Sequence, residues 1–202
     1  MRDVLLRILD PFFGRPTGLR GRLGGAVMAR SNAASERHLV ALAAPRPTDS
    51  VLVVGPGPGV GLAEVARVTN RGHVVGVDPS PEMLRRCREL CADLVRAGRV
   101  ELRQGTAQDT GAPAASFDVV LSVNNVVFWP DRPAGFAELR RVLRPGGLLV
   151  LSMHRTAMDA EGYSAEDLRA DAEGAGLTEV VVRERAGASA WGAAVDMTAR
   201  HP

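Results

Sequence analysis

From about residue 50 onward, short unbroken aliphatic runs alternate with longer stretches in which apolar side chains recur every three to four positions. Val51-Leu52-Val53-Val54 and His73-Val74-Val75-Gly76-Val77 are apolar on both faces, the pattern of strands buried from both sides. Val100 to Arg103, Phe117 to Ser122 and Leu148 to Ser152 read as three further strands. The helices expected between them run from about Val60 to Thr69, through Met83, Leu84, Cys87, Leu90, Cys91, Leu94 and Val95 to a stop at Gly98, and from Ala134 to Leu143. Ser80-Pro81 supplies a cap and a first-turn proline for the second of these, and Arg144-Pro145-Gly146-Gly147 closes the third. Ser164 caps a helix to about Ala175, with Asp167 in a capping-box position. Thr178 to Arg185 and Ala190 to Thr198 then form a strand pair around Gly187, spaced as a hairpin.

This order predicts an α/β fold: a Rossmann-like, doubly wound seven-stranded sheet, mostly parallel with its last strand antiparallel. Residues 1–48 stand apart. They are rich in Arg and Gly, and only Ala33 to Ala44 reads as a sustained helix before Pro45-Arg46-Pro47. The expected organisation is a helical cap or lid over 1–48 and one domain over 49–202.

Composition narrows the chemistry. A formal charge of +2 gives no electrostatic reason to expect nucleic acid. All 25 basic residues are arginine, which excludes a lysine Schiff base and a Gly-Lys-Ser/Thr phosphate loop. The two cysteines, Cys87 and Cys91, lack the partners of a zinc site and read as core. The charged N-terminal decapeptide is too short for a signal peptide or membrane span, so a cytoplasmic protein is expected.

The most informative segment is Gly55-Pro56-Gly57-Pro58-Gly59 after the first strand, followed by Asp78 at the end of the second. Glycines there let a ligand approach the backbone, and a carboxylate at that strand end accepts both ribose hydroxyls of an adenosine. Dinucleotide folds require G-x-G-x-x-G, and both frames fail, at Val60 and at Leu62; the pattern met is G-x-G-x-G.

With these residues the chain resembles the class I S-adenosylmethionine (SAM)-dependent methyltransferases, nearest to small-molecule enzymes of the ubiquinone-biosynthesis type. Gly105-Thr106-Ala107-Gln108-Asp109, Ser116 to Asn125, and Leu139 to Gly147 extend the resemblance in order over about residues 50–155. It implies that Gly55, Gly57 and Gly59 line the methionine and ribose part of SAM. Asp78 would bind the ribose, and Pro79 and Met83 would pack near the adenine. Ala107 and Gln108 would face the adenine edge, and Asn124 would lie near the methionine moiety or the methyl group.

Two positions depart from the family. Val53 stands where an acid usually lies two residues before the first glycine, and Thr106 replaces the Asp of the adenine turn. Each removes a polar contact of roughly 1.5–3 kcal/mol, enough to weaken binding without by itself abolishing it.

Methyl transfer from a sulfonium chiefly needs alignment of nucleophile, methyl and sulfur. His154 after the fifth strand is the best-placed candidate base, set against the plainer reading of a surface or loop histidine. His38 reaches a site only if the N-terminal segment folds over it. Phe128 and Trp129 either border a substrate cavity or pack as aromatic core. Met28-Ala29-Arg30-Ser31-Asn32 reads either as part of a lid over the cofactor or as an N-terminal helix packed on the sheet. The function expected is methyl transfer from SAM to a small-molecule acceptor, with a homodimer allowed and no metal. The alternatives are an NAD(P)-dependent oxidoreductase and a non-catalytic SAM-binding protein on a degenerate fold.

Overall fold

A computed structural model describes residues 33–189 and 192–202. Most of the expected 1–48 cap, including the segment Met28 to Asn32 expected as a lid, therefore lies outside the described residues, as do Ala190 and Trp191. The described chain begins in a helix over 33–43, α1.

Strand β1 (Ser50–Val54) is central. It is followed by α2 (Val60–Val68), β2 (His73–Asp78), α3 (Pro81–Leu90), α4 (Ala92–Arg96) and β3 (Val100–Gln104). The second half runs β4 (Phe117–Val123), α5 (Arg132–Val142), β5 (Leu143–His154), α6 (Arg155–Glu161), α7 (Ala165–Gly174), β6 (Thr178–Ser189) and β7 (Gly192–Arg200). The sheet order is β3-β2-β1-β4-β5-β7-β6. The pairings from β3 across to β5 are parallel, whereas β7 inserts antiparallel between β5 and β6. The expected seven-stranded, mostly parallel sheet is what forms.

Alternation along each strand feeds two cores. Leu52 and Val54 turn toward the face covered by Phe136, Leu139, Met158 and Leu168. Val51 and Val53 turn toward the other, with Leu39 and Val40 of α1, Leu62 and Val65 of α2, and Cys87 of α3. The chain leaves β1 for β2 on one side and takes up β4 on the other. That switch opens a crevice at the carboxyl ends of these strands.

Four local expectations are corrected. The single helix through Leu90 and Cys91 is two, because Cys91 leaves helical geometry and serves as the cap of both. Cys91 thereby stays buried while Leu90, expected on the apolar stripe, is 55% exposed. Arg144-Pro145-Gly146-Gly147 is not a turn before β5 but a bulge within it. Leu143 already pairs with Phe117, pairing with β4 resumes at Leu148, and the looped residues bond His201. The hairpin strand β6 runs on to Ser189, past the expected turn at Gly187. Helix α6 follows β5 directly and was not expected, since its seven residues carry too little periodic signal.

Candidate functional site

The glycine loop is built by left-handed backbone. Gly55, Gly57 and Gly59 have φ of +65°, +52° and +98°, a region L side chains rarely adopt. Their surroundings differ. A Cβ on Gly55 would lie 2.2 Å from Asn125 Nδ2, and one on Gly59 would lie 2.6 Å from Cys87 Sγ. A Cβ on Gly57 would meet nothing within 4 Å among the described residues. Gly55 and Gly59 thus secure the loop against β4 and α3, while Gly57 faces open space.

That space is a cavity of about 160 Å³ at the crevice. Its floor is Val54 to Pro58 with Val77, and Asp78, Pro79, Ser80 and Met83 close one side. Thr106, Ala107 and Gln108 lie beyond them, Val123, Asn124 and Asn125 close the other side, and Phe128, Trp129 and Pro130 form a rim. Of the cofactor residues expected from sequence, Gly59 alone does not line it; its place is behind the loop, against Cys87.

Asp78 is 6% exposed, and each carboxylate oxygen accepts one backbone N–H. Gly57 donates to Oδ2 at 3.2 Å and Ser80 to Oδ1 at 2.9 Å. Burial pushes its carboxyl up to about 6, with the two N–H groups pulling partly back. Each oxygen retains capacity for a further donor.

Asn125 rivets the site. Its Nδ2 donates to Val54 O at 2.7 Å, joining β1 to the end of β4. Its Oδ1 accepts from Ser122 Oγ and from Trp129 Nε1, the latter at 3.1 Å. Trp129 lines the cavity and also packs edge-on against Phe136, with ring centroids 5.6 Å apart. Phe128 is 45% exposed at the rim. Asn124 adopts φ +55°, and its side-chain oxygen accepts the His154 N–H at 2.8 Å, tying β4 to β5.

Thr106, where an acid was expected, closes its own turn: its hydroxyl accepts from the Asp109 N–H, and its N–H donates to Asp109 O. Gln108 Nε2 donates to Asp131 O at the start of α5.

His154 is 8% exposed at the end of β5, not a surface histidine. Burial and the nearby Arg185 hold its pKa below the usual imidazole value. It is not among the residues lining the cavity. His38 bonds Asp196 of β7 at 2.9 Å, and Asp196 also accepts from Ser152 Oγ at 2.6 Å and Arg185 Nε at 2.9 Å. This carboxylate pins α1 to the sheet.

Sequence reasoning missed Glu36. It projects from α1 into the cavity, where its carboxylate accepts the Gly61 N–H and burial pushes it up to about 7. Its signal was absent because a glutamate on an amphipathic helix ordinarily marks the solvated face. Among the described residues no cluster able to hold a metal ion occurs, and no helix is long and apolar enough to cross a membrane.

Residues 51–147 match the methyltransferase-domain family. The chain is 29% identical over 165 residues to the uncharacterized methyltransferase YdaC of Bacillus subtilis (strain 168), covering 80% of this chain and 89% of that protein. It is 39% identical over 117 residues to nocamycin O-methyltransferase of Saccharothrix syringae, covering 57% of this chain but 41% of that enzyme. Apart from YdaC, it spans less than half the length of these curated relatives. The fold resembles Haemonchus contortus phosphoethanolamine N-methyltransferase 2, solved in complex with SAM. The TM-score is 0.70 at 17% identity, over 84% of this chain and 52% of that one.

Proposed function

We propose that the chain, whose residues 51–147 match the methyltransferase-domain family, is a class I SAM-dependent methyltransferase that transfers the methyl group to a small-molecule acceptor. The observation that carries this is the cavity between the open backbone of Gly57 and the carboxylate of Asp78. The residues fit the cofactor. Asp78 has an acceptor position left on each oxygen for a ribose diol, and no side chain fills the space at Gly57.

In this reading SAM, when bound, supplies a methyl group activated by its sulfonium. Asp78 holds the ribose, Pro79 and Met83 flank the adenine, and Ala107 and Gln108 face its edge. Gly55 and Gly57 give the methionine portion a backbone surface, and Gly59 shapes the loop from behind. Asn124 borders the methionine end, and Phe128 and Trp129 border the acceptor. Their aromatic rims exclude water and orient the acceptor for in-line displacement.

The cap over 1–48 would set acceptor choice. The small-molecule relatives support such an acceptor, and a formal charge of +2 gives no broad electrostatic reason to expect a nucleic acid. His154 stays in this reading as a base only for an acceptor that contacts it beyond the cavity. The two buried, unbridged cysteines suit a cytoplasmic location. A homodimer is the assembly we would look for first. The methyltransferase relatives argue against the oxidoreductase alternative.

The test is thermal stabilisation by SAM or S-adenosylhomocysteine at saturating concentration, with NAD(H) as control. Methyl transfer across a panel of hydroxyl and amine acceptors follows. A chain stabilised by NAD(H) and by neither SAM nor S-adenosylhomocysteine would overturn the reading.

A further inference from the structure

We propose that Glu36 binds the α-ammonium group of the cofactor's amino-acid end, so that a helix preceding the sheet completes the cofactor site. The inference rests on the SAM reading above and concerns a residue to which that reading gives no part.

Two carboxylates face the cavity, from opposite sides of the glycine loop. Asp78 stands at the end of β2. Glu36 comes from α1 and lies against Gly61, where a Cβ would sit 3.1 Å from its Cβ and Cγ. Beside it are Val53, Gly55 and Val123, which belong to β1, the loop and β4. The cavity thus runs from a ribose-accepting carboxylate at β2, across the loop, to a second carboxylate on the β1–β4 side.

The hydrogen bonds at the two ends differ. Both oxygens of Asp78 hold a backbone N–H. At Glu36 the Gly61 N–H serves the carboxylate, while Oε2 is buried with no hydrogen-bond partner among the described residues. A carboxylate oxygen in that state costs free energy unless a donor or cation joins it. Among the described residues the cation acting on it is Arg37, its exposed neighbour on the helix. With the adenosine end fixed at Asp78, the far end of SAM is the amino acid, which carries an ammonium and is the donor this oxygen lacks. Burial also sets the carboxyl near 7, so at mildly alkaline pH the group is ionised.

The experiment is calorimetric titration of the full chain and of Glu36→Gln at pH 8, with S-adenosylhomocysteine and with 5′-methylthioadenosine, which lacks the amino acid. Glu36→Gln is expected to bind S-adenosylhomocysteine at least about tenfold more weakly, the range of a lost hydrogen bond to a charged group. Its affinity for 5′-methylthioadenosine should stay within about twofold. Equal affinity of both proteins for S-adenosylhomocysteine, or equal loss for both ligands, overturns the proposal. The des-amino analogue of S-adenosylhomocysteine tests the same contact on the unmodified chain and needs no variant to fold. Tenfold weaker binding than S-adenosylhomocysteine supports the proposal, and equal binding sinks it. If the unmodified chain binds none of these ligands, the SAM reading itself has failed, a different outcome from any of those above.

Discussion

Glu36 and Val53 face one small crevice, about 20 Å³, between α1 and the central strand. Val53 occupies the strand position where related enzymes carry an acid, and here it packs into the core under α1. A carboxyl group lines the same crevice from α1, the helix that covers this strand. If Glu36 holds the cofactor's amino-acid end, affinity for SAM depends on α1 as well as on the strand.

Asp78 and Glu36 should separate the two halves of the ligand. Asp78→Asn is expected to weaken S-adenosylhomocysteine and 5′-methylthioadenosine alike, by roughly tenfold to a hundredfold, because both carry the ribose. Competition binding with the two ligands reads this. A variant that discriminates between them would move Asp78 away from the ribose.

Gly57 and Gly59 should fail in opposite ways when changed to alanine. At Gly57 the new methyl enters open space, so stability falls by only about 1 kcal/mol for its φ, while ligand affinity drops. At Gly59 the methyl meets Cys87 Sγ at 2.6 Å and φ is +98°, and a loss of roughly 2–4 kcal/mol is expected. Melting curves with and without S-adenosylhomocysteine distinguish the two.

Asn125→Ala removes a donor to Val54 O and an acceptor for both Trp129 Nε1 and Ser122 Oγ. We expect roughly 2–4 kcal/mol of destabilisation, a fall in Tm of roughly 5–12 °C for a chain of this size. Trp129 fluorescence should shift to longer wavelength as its ring loosens. An unchanged Tm would show that water replaces all three bonds.

Protonation should act on stability and on binding in opposite directions. The carboxyls of Glu36 and Asp78 are raised to about 7 and about 6, so the native chain retains protons that the unfolded chain has released. Their contribution to stability is full at low pH and is lost as pH rises from about 4 through those values. Glu36→Gln does not titrate, so its Tm should gain on the parent's between pH 5 and 8 without ligand. Affinity of the parent for S-adenosylhomocysteine should instead rise over the same interval, since both contacts need the ionised carboxylates. A constant Tm difference across the series would contradict the burial of Glu36.

Much of this was legible in the chain. The twice-buried strands β1 and β2, the glycine spacing and Asp78 act through backbone geometry that neighbouring residues dictate, and they stand where sequence placed them. Sequence failed where distant contacts decide. Cys91 ends a helix because it is drawn in behind Gly59, and Arg144 to Gly147 bulge because His201 bonds them. His154 is buried because β5 extends to it and β7 lies alongside. Glu36 needed the packing of α1 onto β1, which no local pattern encodes.

The bond from His38 to Asp196 joins residues 158 positions apart. It has a consequence for synthesis. The nascent chain makes the glycine loop, Asp78 and both asparagines long before the strand that anchors α1 emerges from the ribosome. Until Asp196 is out, α1 lacks this bond to β7 and is held by the packing of Leu39 and Val40 against β1 and α2.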